Sequence, residues 1–155
     1  MPWGLDDTTI RIGIVVGIVV SMIWYEKRNL SPGGVIVPGL FALYLFINPI
    51  LILFSLLISV GTVLIVKKIS NYVILFGRRR FSALMLISFG LAWLCEVSTQ
   101  TTNMGIEFRV IGFIIPGLIA NEMERQGYLN TLQSLSIITI ITCILIFVLI
   151  GFGGV

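Results

Sequence analysis

Two long stretches without a charged residue constrain the fold more than any other feature of this chain. Residues 30–66 and 126–155 contain no Asp, Glu, Lys or Arg, although one membrane crossing needs only about 20 apolar residues. Of the 155 residues, 57% are hydrophobic and 11% are charged. A soluble domain of this length has too little polar surface to cover so many apolar side chains. The sequence therefore predicts an all-α integral membrane protein, with residues 1–155 forming a single membrane domain.

About six apolar segments are predicted to cross the membrane. The uncharged stretch 30–66 is too long for one crossing and divides at Asn48-Pro49, a pair that favours a turn. The acidic N-terminus lacks the basic region of a signal peptide, so we expect the first segment to remain as an anchor. The six segments are Ile10–Tyr25, Leu30–Ile47, Ile50–Val66, Phe81–Ser98, Phe108–Asn121 and Leu129–Ile150.

The basic residues predict how these segments are oriented. Five of them lie in one connection, residues 67–80, which the positive-inside rule places in the cytoplasm. If every segment crosses, eight of the ten basic residues share that side and both termini lie outside. If the Pro-Gly segments were re-entrant instead, the basic groups would be split between the two sides, so full crossing is favoured. The eight residues are Lys27, Arg28, Lys67, Lys68, Arg78, Arg79, Arg80 and Arg125.

The pattern G-x-x-x-P-G-L-x-A occurs twice, as GVIVPGLFA at residues 34–42 and GFIIPGLIA at residues 112–120. In both copies the proline lacks an N–H, and its ring clashes with the carbonyl of the glycine four residues earlier. Three crossings in each half, residues 9–66 and 81–150, reverse the second half relative to the first. The sequence thus predicts two inverted three-span repeats, the middle segment of each broken at its Pro-Gly pair.

Two interpretations of the Pro-Gly pairs stay open. They can be kinks that allow two helices to pack, or each proline can open a half-helix. In the second case two positive helix N-termini meet near the midplane and form a site for an anion. The candidate residues along such a path are Gly34, Pro38, Gly39, Arg109, Gly112, Pro116, Gly117 and Asn121.

Three further groups of residues are candidates for packing, pairing or docking. The small-xxx-small spacing of Gly13, Gly17 and Ser21 predicts a close helix–helix contact. Glu96 is either an interfacial residue or the partner of Arg109, a pair that Glu107 can join. The basic connection either controls topology and contacts anionic lipid or docks a cytoplasmic partner. The docking candidates are Lys27, Arg28, Arg78, Arg79 and Arg80.

Several kinds of chemistry are excluded or disfavoured. The chain has no histidine, which removes histidine acid–base catalysis and most zinc sites. It has no phosphate-binding loop of the Walker type, so we expect no ATP hydrolysis by this chain alone. Cys95 and Cys143 lie in apolar runs and are expected to be small buried hydrophobes rather than a disulfide. We expect no metal, cofactor or nucleic acid to bind.

Three blocks of this sequence resemble one known family. The blocks are YEKRNLSPGGVIVPG (25–39), ILFGRRRFSALM (74–85) and EFRVIGFIIPGLIANEMERQG (107–127). Together they closely resemble the CapC/PgsC family, the small membrane subunit of bacterial poly-γ-glutamate synthase. The resemblance implies a multi-pass protein of the bacterial cell membrane that is required for polymer synthesis. It carries over no assigned catalytic residue.

The resemblance also implies partners. A CapB/PgsB-like ligase subunit would bind ATP and Mg²⁺ and activate the carboxylate, and a CapA/PgsA-like subunit would act outside the cell. We therefore expect this chain to dock the ligase and help to translocate the anionic polymer, alone or as several associated copies. Two alternatives stay open: an autonomous small transporter or channel, and a purely structural anchor for the ligase.

Overall fold

The computed structural model describes residues 7–47, 49–71, 77–101 and 110–153, and these residues form six α-helices. The predicted all-helical fold is therefore confirmed. A turn is expected at Asn48-Pro49; Asn48 lies outside the described residues, and one helix ends at Ile47 and the next begins at Pro49. The helices are α1 (Asp7–Arg28), α2 (Val37–Ile47), α3 (Pro49–Ser70), α4 (Arg78–Thr101), α5 (Val110–Gln126) and α6 (Tyr128–Gly153).

Three of these helices are long and apolar enough to cross a membrane, rather than the six expected. The qualifying stretches of the described residues are Pro49–Ser70, Arg78–Ser98 and Tyr128–Leu149. Helix α2 has only 11 residues, about 16 Å at 1.5 Å per residue, against about 30 Å for the hydrocarbon core. The segment predicted as Leu30–Ile47 is helical only from Val37.

Two other expectations are wrong in detail. Helix α5 continues through Pro116, so the break predicted at the second Pro-Gly pair is absent. The basic connection predicted over residues 67–80 is shorter, because α3 reaches Ser70 and α4 starts at Arg78. Lys67 and Lys68 thus lie in the last turn of α3, where a positive side chain interacts favourably with the helix dipole.

Contacts between helix ends place most basic residues at one end of the bundle. Arg80, in the first turn of α4, pairs with Glu124 near the end of α5. Gln126, the last residue of α5, bonds to Ser31, which follows α1. Helices α1, α3 and α5 therefore end where α4 and α6 begin. We call this the basic end; it carries Lys27, Arg28, Lys67, Lys68, Arg78, Arg79, Arg80 and Arg125.

The helix contacts have the same pattern in both halves. Helix α1 packs on α2 and α6, and α4 packs correspondingly on α5 and α3. Helix α2 also packs on α3 and α6, and α5 on α6 and α3. Exchanging α1, α2 and α3 for α4, α5 and α6 reproduces this set of contacts. The main core lies between the halves and contains Val37, Phe41, Val63, Val66, Leu84, Ile115, Ile119, Ala120, Met123 and Leu135.

Candidate functional site at the Pro-Gly motifs and the basic end

At the first Pro-Gly pair, Gly39 of α2 packs against the backbone of Gly13 and Gly17 in α1, a contact that we call the glycine joint. A Cβ built on Gly17 would stand 2.4 Å from the Cα of Gly39, and one on Gly39 would stand 3.0 Å from the carbonyl oxygen of Gly13. No side chain larger than hydrogen fits there without a shift of backbone. Ser21, one turn further along α1, is buried and donates a hydrogen bond of 2.7 Å to the Gly17 carbonyl. The small residues Gly13, Gly17 and Ser21 therefore lie at a contact between two helices of the same chain.

The second Pro-Gly pair packs in a similar way on α4. A Cβ on Gly117 would meet Sδ of Met85 at 2.6 Å and Oγ of Ser88 at 3.3 Å. Pro38 and Pro116 are both fully buried. Each Pro-Gly pair therefore lies against the first helix of its own half. These contacts are the ones that the packing interpretation requires.

The region before α2 meets α5 inside the bundle. Val37, at the start of α2, is buried in one cluster with Ile115 and Ile119. A Cβ on Gly33 would lie 3.2 Å from Cγ1 of Ile119, and one on Gly34 would lie 3.8 Å from Cβ of Leu118. The start of α2 is therefore an interior helix N-terminus. The half-helix interpretation expects one in each copy, whereas α5 continues through Pro116 in the second copy.

The remaining predicted site residues are Gly112, Asn121, Glu96, Glu107 and Arg109. Gly112 lies in the first turn of α5, within the helix. Asn121 is half-buried, with its Nδ2 3.5 Å from Oε1 of Glu122. Glu96 is half-buried on α4. Glu107 and Arg109 lie outside the described residues, so the ion pair expected with Glu96 stays a prediction.

The sequence did not indicate a role for Gln126, whose side chain forms hydrogen bonds between the two halves of the chain. Its Oε1 accepts a hydrogen bond of 2.9 Å from the Ser31 backbone N–H, and its Nε2 donates to the Ser31 carbonyl. Nε2 also lies 3.2 Å from Oγ1 of Thr131. A glycine at position 127 with φ 95° ends α5 at this point, and that signal was visible in the sequence. The contact with Ser31, which lies 95 residues away in the sequence, could not be identified from the sequence.

The basic end contains both paired and exposed charge. Arg80 forms an ion pair with Glu124, whose side chain is 12% exposed. Nη1 of Arg125 lies 3.3 Å from Oε1 of Glu122. Arg78 and Arg79 are exposed in the first turn of α4. At the end of α1, Lys27 is exposed, and Arg28 lies over the Trp24 ring at 5.4 Å from its centroid. Positive charge is thus displayed toward solvent or a partner.

The bundle interior holds hydroxyl groups with no hydrogen-bond partner in the described part of the chain. These are Oγ of Ser88 and Oγ1 of Thr139 and Thr142, all on residues at most 6% exposed. Thr139 also lines a cleft of about 200 Å³ between α2, α3 and α6. Apart from Thr139 and Ser136 the walls are apolar: Phe41, Leu45, Ile52, Leu56, Leu132, Leu135 and Ile140.

No three His, Cys, Asp or Glu side chains among the described residues come together in a group that would hold a metal ion. Cys95 and Cys143 are free thiols, and both are only partly buried. The arrangement supports binding of anionic groups at the basic end and close helix packing in the interior.

Comparisons with known proteins agree on one family. The model of the family described as "Capsule biosynthesis CapC" matches residues 16–132. The chain is 37% identical over 139 residues to the "PGA biosynthesis protein CapC" of Bacillus subtilis (strain 168), covering 88% of this chain and 93% of that protein. It is 41% identical over 118 residues to the "Capsule biosynthesis protein CapC" of Bacillus anthracis, covering 75% and 78%. No solved structure matches. The chain belongs to the CapC family of capsule biosynthesis proteins.

Proposed function

We propose that this chain is the membrane subunit of a poly-γ-glutamate synthase and docks a cytoplasmic ligase subunit at its basic end. The observation that carries the proposal is the gathering of eight of the ten basic residues at that end, with Arg78 and Arg79 exposed. The names of the two Bacillus relatives, which refer to PGA and capsule biosynthesis, support the pathway.

The partners follow from the division of labour that this role requires. The ligase subunit, similar to CapB/PgsB, binds ATP and Mg²⁺ and activates the carboxylate, since this sequence carries no phosphate-binding loop. A CapA/PgsA-like subunit receives the polymer outside the membrane. This chain acts as an accessory subunit without a catalytic residue of its own, and it helps to translocate the anionic product.

We further propose that the halves are inverted repeats in the bacterial cell membrane, with the basic end in the cytoplasm and both termini outside. Corresponding helices run in opposite directions, and their contacts exchange when the halves are exchanged. The buried residues of α3 also recur with the same spacing in α6. They are Ser55, Ile58, Ser59, Thr62, Val63 and Val66 in α3, and Thr131, Ser134, Leu135, Ile138, Thr139 and Thr142 in α6.

A path for the polymer and a purely structural anchor make different demands on the interior. The tight joint at Gly39 favours the anchor, because it leaves no space beside the first Pro-Gly pair. The unpartnered hydroxyls of Ser88, Thr139 and Thr142 favour a path, because buried polar groups without partners are costly and are often kept for function. We propose that this chain contributes to a path formed together with partner helices or further copies.

Replacing both exposed arginines, Arg78→Gln with Arg79→Gln, should abolish most polymer production in cells that depend on this chain. Arg80 is left unchanged because its pair with Glu124 holds α4 to α5. Two charges lost at a docking surface weaken association by about 10- to 100-fold when each charge contributes roughly 1 kcal/mol. Capsular poly-γ-glutamate and the amount of ligase recovered with the purified membrane subunit are the two measurements.

The matched control is Lys67→Gln with Lys68→Gln, which removes the same charge from the same end of the bundle at two residues that are not among the docking candidates Lys27, Arg28, Arg78, Arg79 and Arg80. These residues are also exposed, so general loss of charge or altered insertion would affect both pairs equally. Normal polymer yield and full ligase recovery in the arginine variant would refute docking at Arg78 and Arg79.

Cysteine labelling tests the orientation. In a variant with Cys95→Ala and Cys143→Ala, an impermeant thiol reagent applied to intact cells should label Asn103→Cys but not Asn71→Cys. Permeabilised cells should show labelling at both positions, because Asn71 directly follows α3 at the basic end. Labelling of Asn71→Cys from outside would reverse the proposed topology.

A further inference from the structure

Residues 32–36 carry the signals of a helix start but are not helical. Ser31 is a preferred N-cap residue, and Pro32 follows it at the position where proline is enriched in first helical turns. The Oγ of Ser31 accepts a hydrogen bond of 3.3 Å from the Gly34 N–H, which is the contact that an N-cap makes with the third helical residue. Helix α2 nevertheless begins only at Val37. Gly33 and Gly34 have φ angles of 78° and 115°, outside the helical region.

The second copy of the motif adopts the helical alternative. Helix α5 is already helical at Val110, two residues before Gly112 and at the position that corresponds to Pro32 in the first copy. The helix then runs through Pro116 for a total of 17 residues. A helix from Pro32 to Ile47 would have 16 residues, nearly the length of α5. The same sequence pattern therefore has two conformations in one chain.

Gln126 opposes helix formation in the first copy. A helix capped by Ser31 uses the Ser31 carbonyl to accept its first intrahelical hydrogen bond, from the N–H of Val35. In the structure that carbonyl accepts a hydrogen bond from Gln126 instead, and the Ser31 N–H is also bound to Gln126. Gly33 is buried, and a Cβ at this position would lie 3.2 Å from Cγ1 of Ile119 in α5 and 3.7 Å from Cδ1 of Leu135 in α6, so the packing around Gly33 adds to this restraint.

We propose that residues 32–36 are a helix–loop switch, with Gln126 as the latch that holds the loop conformation. In the second conformation α2 extends to Pro32, and Gly33 leaves its buried position near Ile119 and Leu135. Because Gln126 follows Arg125 directly, a partner bound at the basic end is placed to release the latch. The switch itself is a property of this chain and does not depend on the proposed function.

The test is hydrogen–deuterium exchange at the Val35 and Ile36 amides of the full-length protein in lipid nanodiscs. Alanine disfavours the left-handed backbone of the loop by about five- to thirtyfold per residue. Gly33→Ala with Gly34→Ala should therefore shift the equilibrium toward helix by a hundredfold or so. Exchange at both amides should slow at least tenfold, because each gains an intrahelical partner.

A second variant and a control keep the result interpretable. Gln126→Leu removes the latch without changing residues 32–36, and it should also slow exchange at both amides. Gly90→Ala makes the same chemical change within α4, where a Cβ meets nothing within 4 Å, and it should leave these amides unchanged. Unaltered exchange at Val35 and Ile36 in both test variants, with α3 and α6 still protected, would overturn the switch.

Discussion

Gly17→Ala should destabilise the protein by about 2–3 kcal/mol, the cost of forcing an extra group into a packed interior. The new Cβ would stand 2.4 Å from the Cα and 2.6 Å from the N of Gly39, both backbone atoms of α2. Alanine is favoured over glycine in a helix by about 1 kcal/mol, but that gain is smaller than the cost of separating the two helices. The midpoint of thermal unfolding in detergent measures the change.

Two other Gly→Ala changes control for the clash. At Gly90 a Cβ meets nothing within 4 Å, so alanine there should stabilise the helix by up to about 1 kcal/mol. At Gly117 the nearest atom is Sδ of Met85, the flexible part of a side chain that can move, so the loss should be well below that at Gly17. Equal unfolding midpoints for the Gly17 and Gly90 variants would disprove the glycine joint.

Helix type and position could be predicted from the sequence because apolar segments of membrane length carry a strong signal. The division between α2 and α3 and the helical character of every described element follow from hydropathy and turn chemistry alone. Helix length was harder to predict. Residues 30–36 carry no charge, so the sequence alone extends the crossing segment through them, but the left-handed φ angles of Gly33 and Gly34 depend on contacts that hydropathy does not describe.

The two Pro-Gly motifs show why a local sequence pattern predicts only part of the candidate site. Proline and glycine weaken a helix, but they do not decide whether it breaks, since α5 continues through Pro116. The surroundings differ: Val110 and Ile111 precede Gly112, whereas Pro32 and Gly33 precede Gly34. Likewise, the positions of the basic residues were predictable from topology, but the pairing of Arg80 with Glu124 depends on how α4 meets α5.

The buried hydroxyls form a further element that sequence could not identify. Serine and threonine are common in membrane helices, where most bond to a carbonyl of their own helix. Ser55, Ser59 and Thr62 do so in α3. Three other hydroxyls, on Ser88, Thr139 and Thr142, have no partner in the described part of the chain. A buried hydroxyl without a partner costs about 1–3 kcal/mol, so these three positions reduce the stability of the bundle.

Removing the three hydroxyls together, by Ser88→Ala, Thr139→Val and Thr142→Val, should therefore raise the free energy of unfolding by about 3 kcal/mol. Thr131→Val is the matched control. Its hydroxyl donates to the Gly127 carbonyl at 2.9 Å and lies 3.2 Å from Nε2 of Gln126, so its loss should destabilise by about 1 kcal/mol. A triple variant less stable than the original would show that the hydroxyls are bonded after all.

The amount of polymer that cells with the same triple variant export distinguishes between two roles of the bundle interior, a path for the polymer and packing alone. If the hydroxyls serve a path for an anionic chain, a more stable protein should export less polymer, because the polar groups that offset its desolvation are gone. Polymer retained inside the cells, with ligase recovery unchanged, is the expected result. Because the basic end is untouched, loss of docking cannot cause it. Export at the original level would assign the interior to packing alone and leave the anchor as the role of this chain.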